Sequence, residues 1–205
     1  MLDAKQALQR LRDGNERFAT NVRSLDNLLS QTQRGQLAGL RQEPFAIILG
    51  CSDSRAPAEM VFDQGLGDLF VIRVAGNIVA PSQVGSVEFA ATEFGTRLVV
   101  VLGHTHCGAI QATVDDLQRP GSHSDNIRSI VNRIRPAVED LIESEAGRDP
   151  AALIEAATRA NVRASADHLR HGSPILEELI ERDGLRVVGA EYDLETGRVD
   201  FFDGV

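Results

Sequence analysis

Leu98-Val99-Val100-Val101-Leu102-Gly103-His104-Thr105-His106-Cys107-Gly108 is the stretch that decides the fold of this chain. Five apolar residues, the middle three β-branched, end in a glycine and give way at once to a polar loop. A short continuous run of this kind reads as a strand buried on both faces. Three other runs share the pattern: Phe45-Ala46-Ile47-Ile48-Leu49 before Gly50, Leu69-Phe70-Val71-Ile72, and Arg186-Val187-Val188-Gly189-Ala190. Helical stretches separate the four, so the sheet is expected to be mainly parallel and flanked by helices. A turn at Glu195-Thr196-Gly197 leads into Val199 to Phe202. That last segment alternates like an edge strand paired antiparallel with the fourth. The expected class is therefore α/β, with four mainly parallel strands, an antiparallel edge strand and an N-terminal helical arm.

Outward from the strands, Pro81 to Phe94 reads as a helix, opened by its proline and closed by Gly95 in the left-handed position. Ile127, Ile130, Val131, Ile134, Val138, Leu141 and Ile142 form an apolar stripe at helical spacing, which Pro136 is expected to kink or divide. Asp149-Pro150 and Ser173-Pro174 each look like a helix cap followed by proline in the first turn. These helices read as cover for the core. The first forty residues read as two helices. Ala4, Ala7, Leu8 and Leu11 mark the first, and a weaker pattern from Leu28 to Leu40 marks the second. Such an arm has little core of its own and must pack on the rest of the chain or on a partner subunit. Residues 1–205 are expected to form a single domain, with 1–40 as an arm for dimer packing.

The 205 residues carry a formal charge of −9. That balance disfavours nucleic acid and anionic membrane, both of which attract basic patches. Lys5 is the sole lysine, which we read as compositional bias. The N-terminal segment is charged throughout and lacks the apolar stretch of a secretory signal. No run approaches the ~18 apolar residues of a spanning helix. A soluble, cytoplasmic protein is expected. In that setting Cys51 and Cys107 are more readily metal ligands or inert thiols than a disulfide.

The chemistry gathers just past two strand ends. The first strand leads into Gly50-Cys51-Ser52-Asp53-Ser54-Arg55, and the third into Gly103-His104-Thr105-His106-Cys107-Gly108. In open α/β sheets this edge is where ligands bind. If the two strands are neighbours, Cys51, His104 and Cys107 converge. Two thiolates and an imidazole suit zinc, and three protein ligands leave a fourth position for water. Each residue taken singly is equally readable as an ordinary buried side chain. Asp53, two residues past Cys51, can be a fourth ligand; alternatively Arg55 can hold its carboxylate by a bidentate pair and leave the site open. An ordinary structural ion pair is the plainer reading of Asp53 and Arg55.

Cys51-x-Asp53-x-Arg55, followed by His104-x-x-Cys107-Gly108, resembles the signature of the β-class carbonic anhydrases. The stretch Asp68-Leu69-Phe70-Val71-Ile72-Arg73-Val74-Ala75-Gly76-Asn77 resembles that family too, and the likeness is strongest from about Gln42 to Ile110. The resemblance implies Cys51, His104 and Cys107 as Zn2+ ligands and Asp53 with Arg55 as a catalytic dyad. It implies hydration of carbon dioxide by zinc-bound hydroxide. It also implies an intertwined homodimer, often paired into a tetramer, with sites at the subunit interface. Gln42 aligns with a glutamine that hydrogen-bonds bicarbonate, and Phe70 with an apolar pocket wall. Phe89 stands where a tyrosine is common, and Gly108 joins these at the substrate. His106 lies in the same loop and is at most a proton shuttle. One branch of the family is regulated by bicarbonate at a pocket made by tryptophan, arginine and tyrosine. Arg73 and Tyr192 are in plausible positions here, but Ile48 replaces the tryptophan, which points to the unregulated branch. Two other functions use the same residues. One is hydrolysis of a carbon dioxide analogue, carbonyl sulfide or carbon disulfide. The other is a noncatalytic zinc or bicarbonate-sensing protein with Asp53 closing the metal site, against which Arg55 argues.

Overall fold

The computed structural model describes residues 2–25, 34–119, 121, 123–144 and 149–205. The chain runs α1 (Ala4–Ala19), α2 (Arg34–Leu37), β1 (Ala46–Gly50), α3 (Ala58–Val61), β2 (Leu69–Arg73), a 3-10 turn (Ala75–Asn77) and α4 (Pro81–Glu93). It continues with β3 (Leu98–His104), α5 (Gly108–Gln118), α6 (Asp125–Val138), a second 3-10 turn (Glu139–Leu141), α7 (Pro150–His171), α8 (Pro174–Arg182), β4 (Arg186–Tyr192) and β5 (Val199–Asp203). One sheet has the order β2-β1-β3-β4-β5. The first four strands are parallel and β5 is antiparallel to β4. The α/β class, the four parallel strands and the antiparallel edge expected from the sequence are all present.

Both faces of the sheet are covered, which is why the central strands need apolar residues at every position. Ile48, Val100 and Val188 pack with α1 on one face. Ile47, Val99, Val101 and Val187 pack on the other with Val87 of α4, Val162 and Leu169 of α7, and Leu176 of α8. A third cluster, with Ile110, Val114, Ile134 and Leu153, lies beyond the carboxyl ends of β1 and β3 and contains Cys51 and Cys107.

The first arm helix packs on its own chain. α1 opens with a capping box in which Asp3 and Gln6 bond each other's backbone N–H. It buries Ala4, Ala7, Leu8 and Leu11. Asn15 then ties it down, donating to the carbonyls of Val61 and Gly197 and accepting from the Val199 N–H. Of the second expected arm helix, only the single turn Arg34–Leu37 falls within the described residues; positions 26–33 lie outside them. Leu37 and Leu40 are exposed.

The apolar stripe of α6 differs from expectation at two points. Ile127 is exposed rather than buried, because it sits in the first turn, ahead of the contact with the core. Pro136 does not divide the helix. It lies in the last turn, and the helix runs on to Val138 before tightening into the 3-10 turn. Removing one N–H there forfeits a single hydrogen bond at an end that stops two residues later anyway.

Gly14 marks the closest approach of α1 to the body of the fold. A Cβ there would lie 1.9 Å from the Phe62 carbonyl oxygen. Gly14→Ala must push α1 off the turn that follows α3. It is expected to destabilise the protein by about 3 kcal/mol, read as a fall in the urea midpoint without a change in slope.

Candidate metal centre

Adjacency of β1 and β3 builds the site. The two strands are parallel neighbours with Gly50 opposite Leu102, so their carboxyl ends open side by side. Cys51 follows the last residue of β1, and His104 is the last residue of β3. His106 takes a left-handed conformation (φ 56°) that reverses the chain. Cys107 thereby becomes the N-cap of α5 and turns back towards Cys51. The ligating atoms of Cys51, His104 and Cys107 all lie within 4.8 Å of one another, and all three residues are buried. The two sulfurs are 4.0 Å apart. Two thiolates at about 2.3 Å on one tetrahedral ion would be about 3.8 Å apart.

The donor set itself fits zinc. His104 Nδ1 donates to the Thr105 carbonyl at 2.8 Å, which fixes the tautomer and leaves the Nε2 lone pair free. Nε2 is buried with no hydrogen-bond partner, an arrangement that a metal ion would satisfy. The two sulfurs lie within hydrogen-bonding distance, and either can be the donor. The hydrogen bond from Cys107 pulls the Cys51 thiol below its ordinary range. The same bond, with burial, pushes Cys107 up. Burial by itself would lower the His104 imidazole; the neighbouring Cys51 sulfur and the Thr105 carbonyl outweigh it and raise it. A divalent ion held by these three residues would supply a charge matched to two thiolates.

Asp53 faces this cluster without joining it. Arg55 holds it as a fork: Nε donates to Oδ1 at 2.9 Å and Nη2 to Oδ2 at 2.8 Å. The Arg55 backbone N–H adds a third bond to Oδ1 at 2.9 Å. The Arg55 guanidinium holds the carboxyl well below the usual carboxylate range. Asp53 Oδ2 lies 3.9 Å from His104 Nε2. Of the two arrangements open to Asp53, the structure has the one in which both carboxylate oxygens are taken by arginine.

A surrounding shell holds the two loops, and reading the sequence missed most of it. Arg73, at the end of β2, donates from Nε to the Cys51 carbonyl at 3.0 Å and from Nη2 to the Asp53 carbonyl at 2.5 Å. The resemblance puts Arg73 and Tyr192 in plausible positions for a regulatory pocket, with Ile48 in place of its tryptophan pointing to the unregulated branch. Tyr192 is buried in the sheet with its ring 6.2 Å from that of Phe18, and Ile48 is fully buried in β1. The Gly76 N–H donates to Cys51 Sγ at 3.3 Å. Gly76 has a positive φ of 71°, and a Cβ there would meet Ile134 at 2.9 Å, so only glycine fits. Asn161 of α7 secures that turn by donating to the Gly76 carbonyl at 2.8 Å. Gly76 was detectable as a glycine just past a strand; Asn161, 85 positions away, left no local signal.

The remaining site candidates are dispersed. Gly108 begins α5 and lines a groove of about 1050 Å³ with Thr105, His106, Cys107 and Gln111. Gln42 is exposed, ahead of β1. Phe70 and Phe89 form a ring cluster with Phe94, at centroid distances of 5.4–6.4 Å. Phe70 belongs to the cluster on the α4 face of the sheet, whereas the sulfurs belong to the cluster beyond the strand ends. Phe89 is 50% exposed.

An open, mostly parallel α/β sheet with a Cys/His/Cys cluster at its carboxyl edge marks an α/β protein with a candidate mononuclear metal centre whose donors suit zinc. Comparison with known proteins narrows the class. The family model described as carbonic anhydrase matches residues 46–199. A carbonic anhydrase 2 of Mycobacterium tuberculosis is 36% identical over 97% of this chain and 93% of its own length. A carbonic anhydrase of Mycolicibacterium smegmatis is 35% identical over 95% and 91%. Among solved structures, one from a study of two tetrameric β-carbonic anhydrases of Sordaria macrospora superposes with a TM-score of 0.75 at 26% identity, covering 85% of this chain and 89% of the other. The β-carbonic anhydrase CcaA gives 0.72 at 26% identity, covering 96% and 91%. The chain belongs to the β-carbonic anhydrase family, and it is a zinc enzyme of that class.

Cys51→Ser should retain the fold but lose zinc. Elemental analysis of protein purified with ample zinc is expected to find a small fraction of the wild-type content, because a serine hydroxyl is a poor substitute for a thiolate.

Proposed function

We propose that this chain catalyses the reversible hydration of carbon dioxide to bicarbonate and a proton, with Cys51, His104 and Cys107 holding zinc and Asp53 with Arg55 acting on the nucleophile. When bound, zinc would supply a Lewis acid that makes water available as a nucleophile near neutral pH. The observation that carries the reading is the Arg55 fork on Asp53, beside a buried histidine nitrogen with no partner. With both oxygens held by arginine, Asp53 leaves a coordination position to solvent. It stays ionised and accepts a hydrogen bond from the attacking water, orienting the lone pair towards carbon dioxide. Arg55 also reaches the His106 carbonyl at 3.4 Å, so the same side chain registers one ligand loop against the other.

The apolar wall for carbon dioxide is assigned to Phe70 and Phe89, and bicarbonate recognition to Gln42, with Gly108 at the mouth of the site. In one chain Phe70 and Phe89 pack with Phe94 away from the sulfurs, which supports an arrangement in which a second copy contributes them. The half-exposed Phe89 and the exposed Leu37 and Leu40 support the same homodimer or tetramer. One folded unit over residues 1–205 is proposed, with residues 1–40 as the arm for dimer packing. Among the described residues no helix is long and apolar enough to cross a membrane; a cytoplasmic site of action is part of the proposal.

Stopped-flow hydration assays on samples of known zinc content test this reading. Wild type should turn over carbon dioxide. Asp53→Asn should keep its zinc and lose about a hundredfold in kcat/KM. Full activity in that variant, or an inactive wild type with one zinc per chain, would refute the assignment.

A further inference from the structure

A cavity of about 730 Å³ lies among α4, α6 and α7, lined by residues that the hydration chemistry does not use. Its walls are apolar on one side, with Val79, Ala80 and Val84. Gly85 shares that side. It sits inside α4, where glycine weakens a helix, and nothing lies within 4 Å of the position its Cβ would occupy. Polar residues of α6 and α7 line it too, beside Pro136 and Ala164. Ser165 of α7 is only 6% exposed, lines the cavity, and its hydroxyl has no partner among the described residues. His168 lies one turn further along the same face. Arg133 of α6 also lines the cavity. It donates to the Ser129 carbonyl of its own helix, and no carboxylate pairs with it among the described residues.

The amino end of α4 completes this polar side. Ala80 is the N-cap and provides no side-chain cap, and the first turn carries no acidic residue. The Gln83 and Val84 N–H groups turn back to the Ala80 carbonyl, and Pro81 has no N–H, which leaves that of Ser82. The partial positive charge of the helix end is therefore uncompensated within its own turn. Glu88 is the one carboxylate in the wall. It lies two turns along α4, about 10 Å from Pro81, and its Oε1 accepts the Ser173 hydroxyl at 2.6 Å.

We propose that this cavity binds a small organic carboxylate. Its anionic group would sit at the start of α4 with Arg133 and the Ser165 hydroxyl. Its apolar part would lie against Val79, Val84 and the bare flank of Gly85. A guanidinium and a hydroxyl that face the cavity, neither with a carboxylate partner among the described residues, and an uncapped helix end recognise the charge; the missing side chain at Gly85 makes room for the hydrocarbon. The proposal is independent of the assignment of the zinc site.

Titration calorimetry on zinc-loaded protein tests it, with butyrate as the probe and butyramide and inorganic phosphate as comparisons. Butyrate should bind and butyramide should not. Arg133→Gln and Gly85→Leu should each weaken butyrate binding at least about tenfold, while carbon dioxide hydration without butyrate stays at the wild-type level. Gly85→Ala should bind butyrate and unfold at a higher temperature, which shows that helix α4 tolerates a side chain there. Equal butyrate affinity in wild type, Arg133→Gln and Gly85→Leu would place the anion elsewhere, such as at the metal, and overturn the proposal. Absence of binding to wild type would overturn it too, as would butyramide binding as tightly as butyrate. Phosphate binding that exceeds butyrate and survives Gly85→Leu would replace the organic ligand with an inorganic anion and count against it equally.

Discussion

The structure depends on two parallel strands lying side by side with their carboxyl ends level. β1 and β3 pair directly, Gly50 opposite Leu102. That pairing brings a cysteine from one loop within 4.0 Å of a cysteine that is 56 positions away. A one-residue slip would move every side chain of a strand to the other face. The fully apolar composition of β3 does not by itself prevent such a slip. The two different helical layers do, since Val99 and Val101 meet α7 and α8 while Val100 meets α1. Packing across the whole sheet thus sets the geometry of a site at one end of it.

The site is an electrostatic problem solved by pairing. Burial penalises every charge that a zinc centre needs. Several polar groups are therefore answered by a specific partner: the Thr105 carbonyl for His104 Nδ1, the Gly76 N–H for Cys51, the guanidinium of Arg55 for Asp53; His104 Nε2 has none among the described residues. Arg73 does something different. It binds two backbone carbonyls on either side of Ser52, so it fixes the path of the chain between a metal ligand and the carboxylate two residues on. A fork with donors in fixed directions is suited to this, and a lysine is not.

Much of this was legible in the sequence, for a definable reason. Strands buried on both faces leave continuous apolar runs, and their ends leave glycines; the expected strands at 45–49, 69–72, 98–102 and 186–190 fall on β1, β2, β3 and β4 within a few residues. Cys51, His104 and Cys107 stood out because chemically suited residues followed two of those ends. What was hidden is whatever depends on the tertiary path alone. Asn15 and Asn161 are buried asparagines whose partners lie between 46 and 184 positions away. The fate of the arm was open for the same reason: α1 shows an apolar face, but only the contact of Gly14 with the Phe62 carbonyl reveals that the face is spent within its own chain. Pro136 was read by its usual effect, which depends on how much helix follows it, and here almost none does.

The two edges of the sheet differ in what they leave uncovered. β2 has no neighbour on its outer side among the described residues, and its apolar residues Leu69 to Ile72 are only half-buried. An edge strand of that composition invites pairing or needs a cover. β5, the other edge, carries Asp200 and Asp203, and charges of this kind discourage further pairing. The two edges are therefore unequal, and the apolar one carries Phe70 with Phe89 beside it. A second copy covering that edge would bury surface that a lone chain leaves in water, and it would bring aromatic rings and a foreign zinc site into one interface. Stability and substrate access would then be coupled, because the contacts that hold two copies together would be the same ones that wall the pocket. That coupling gives a physical reason for a cluster of three aromatic rings to lie half-exposed at this edge.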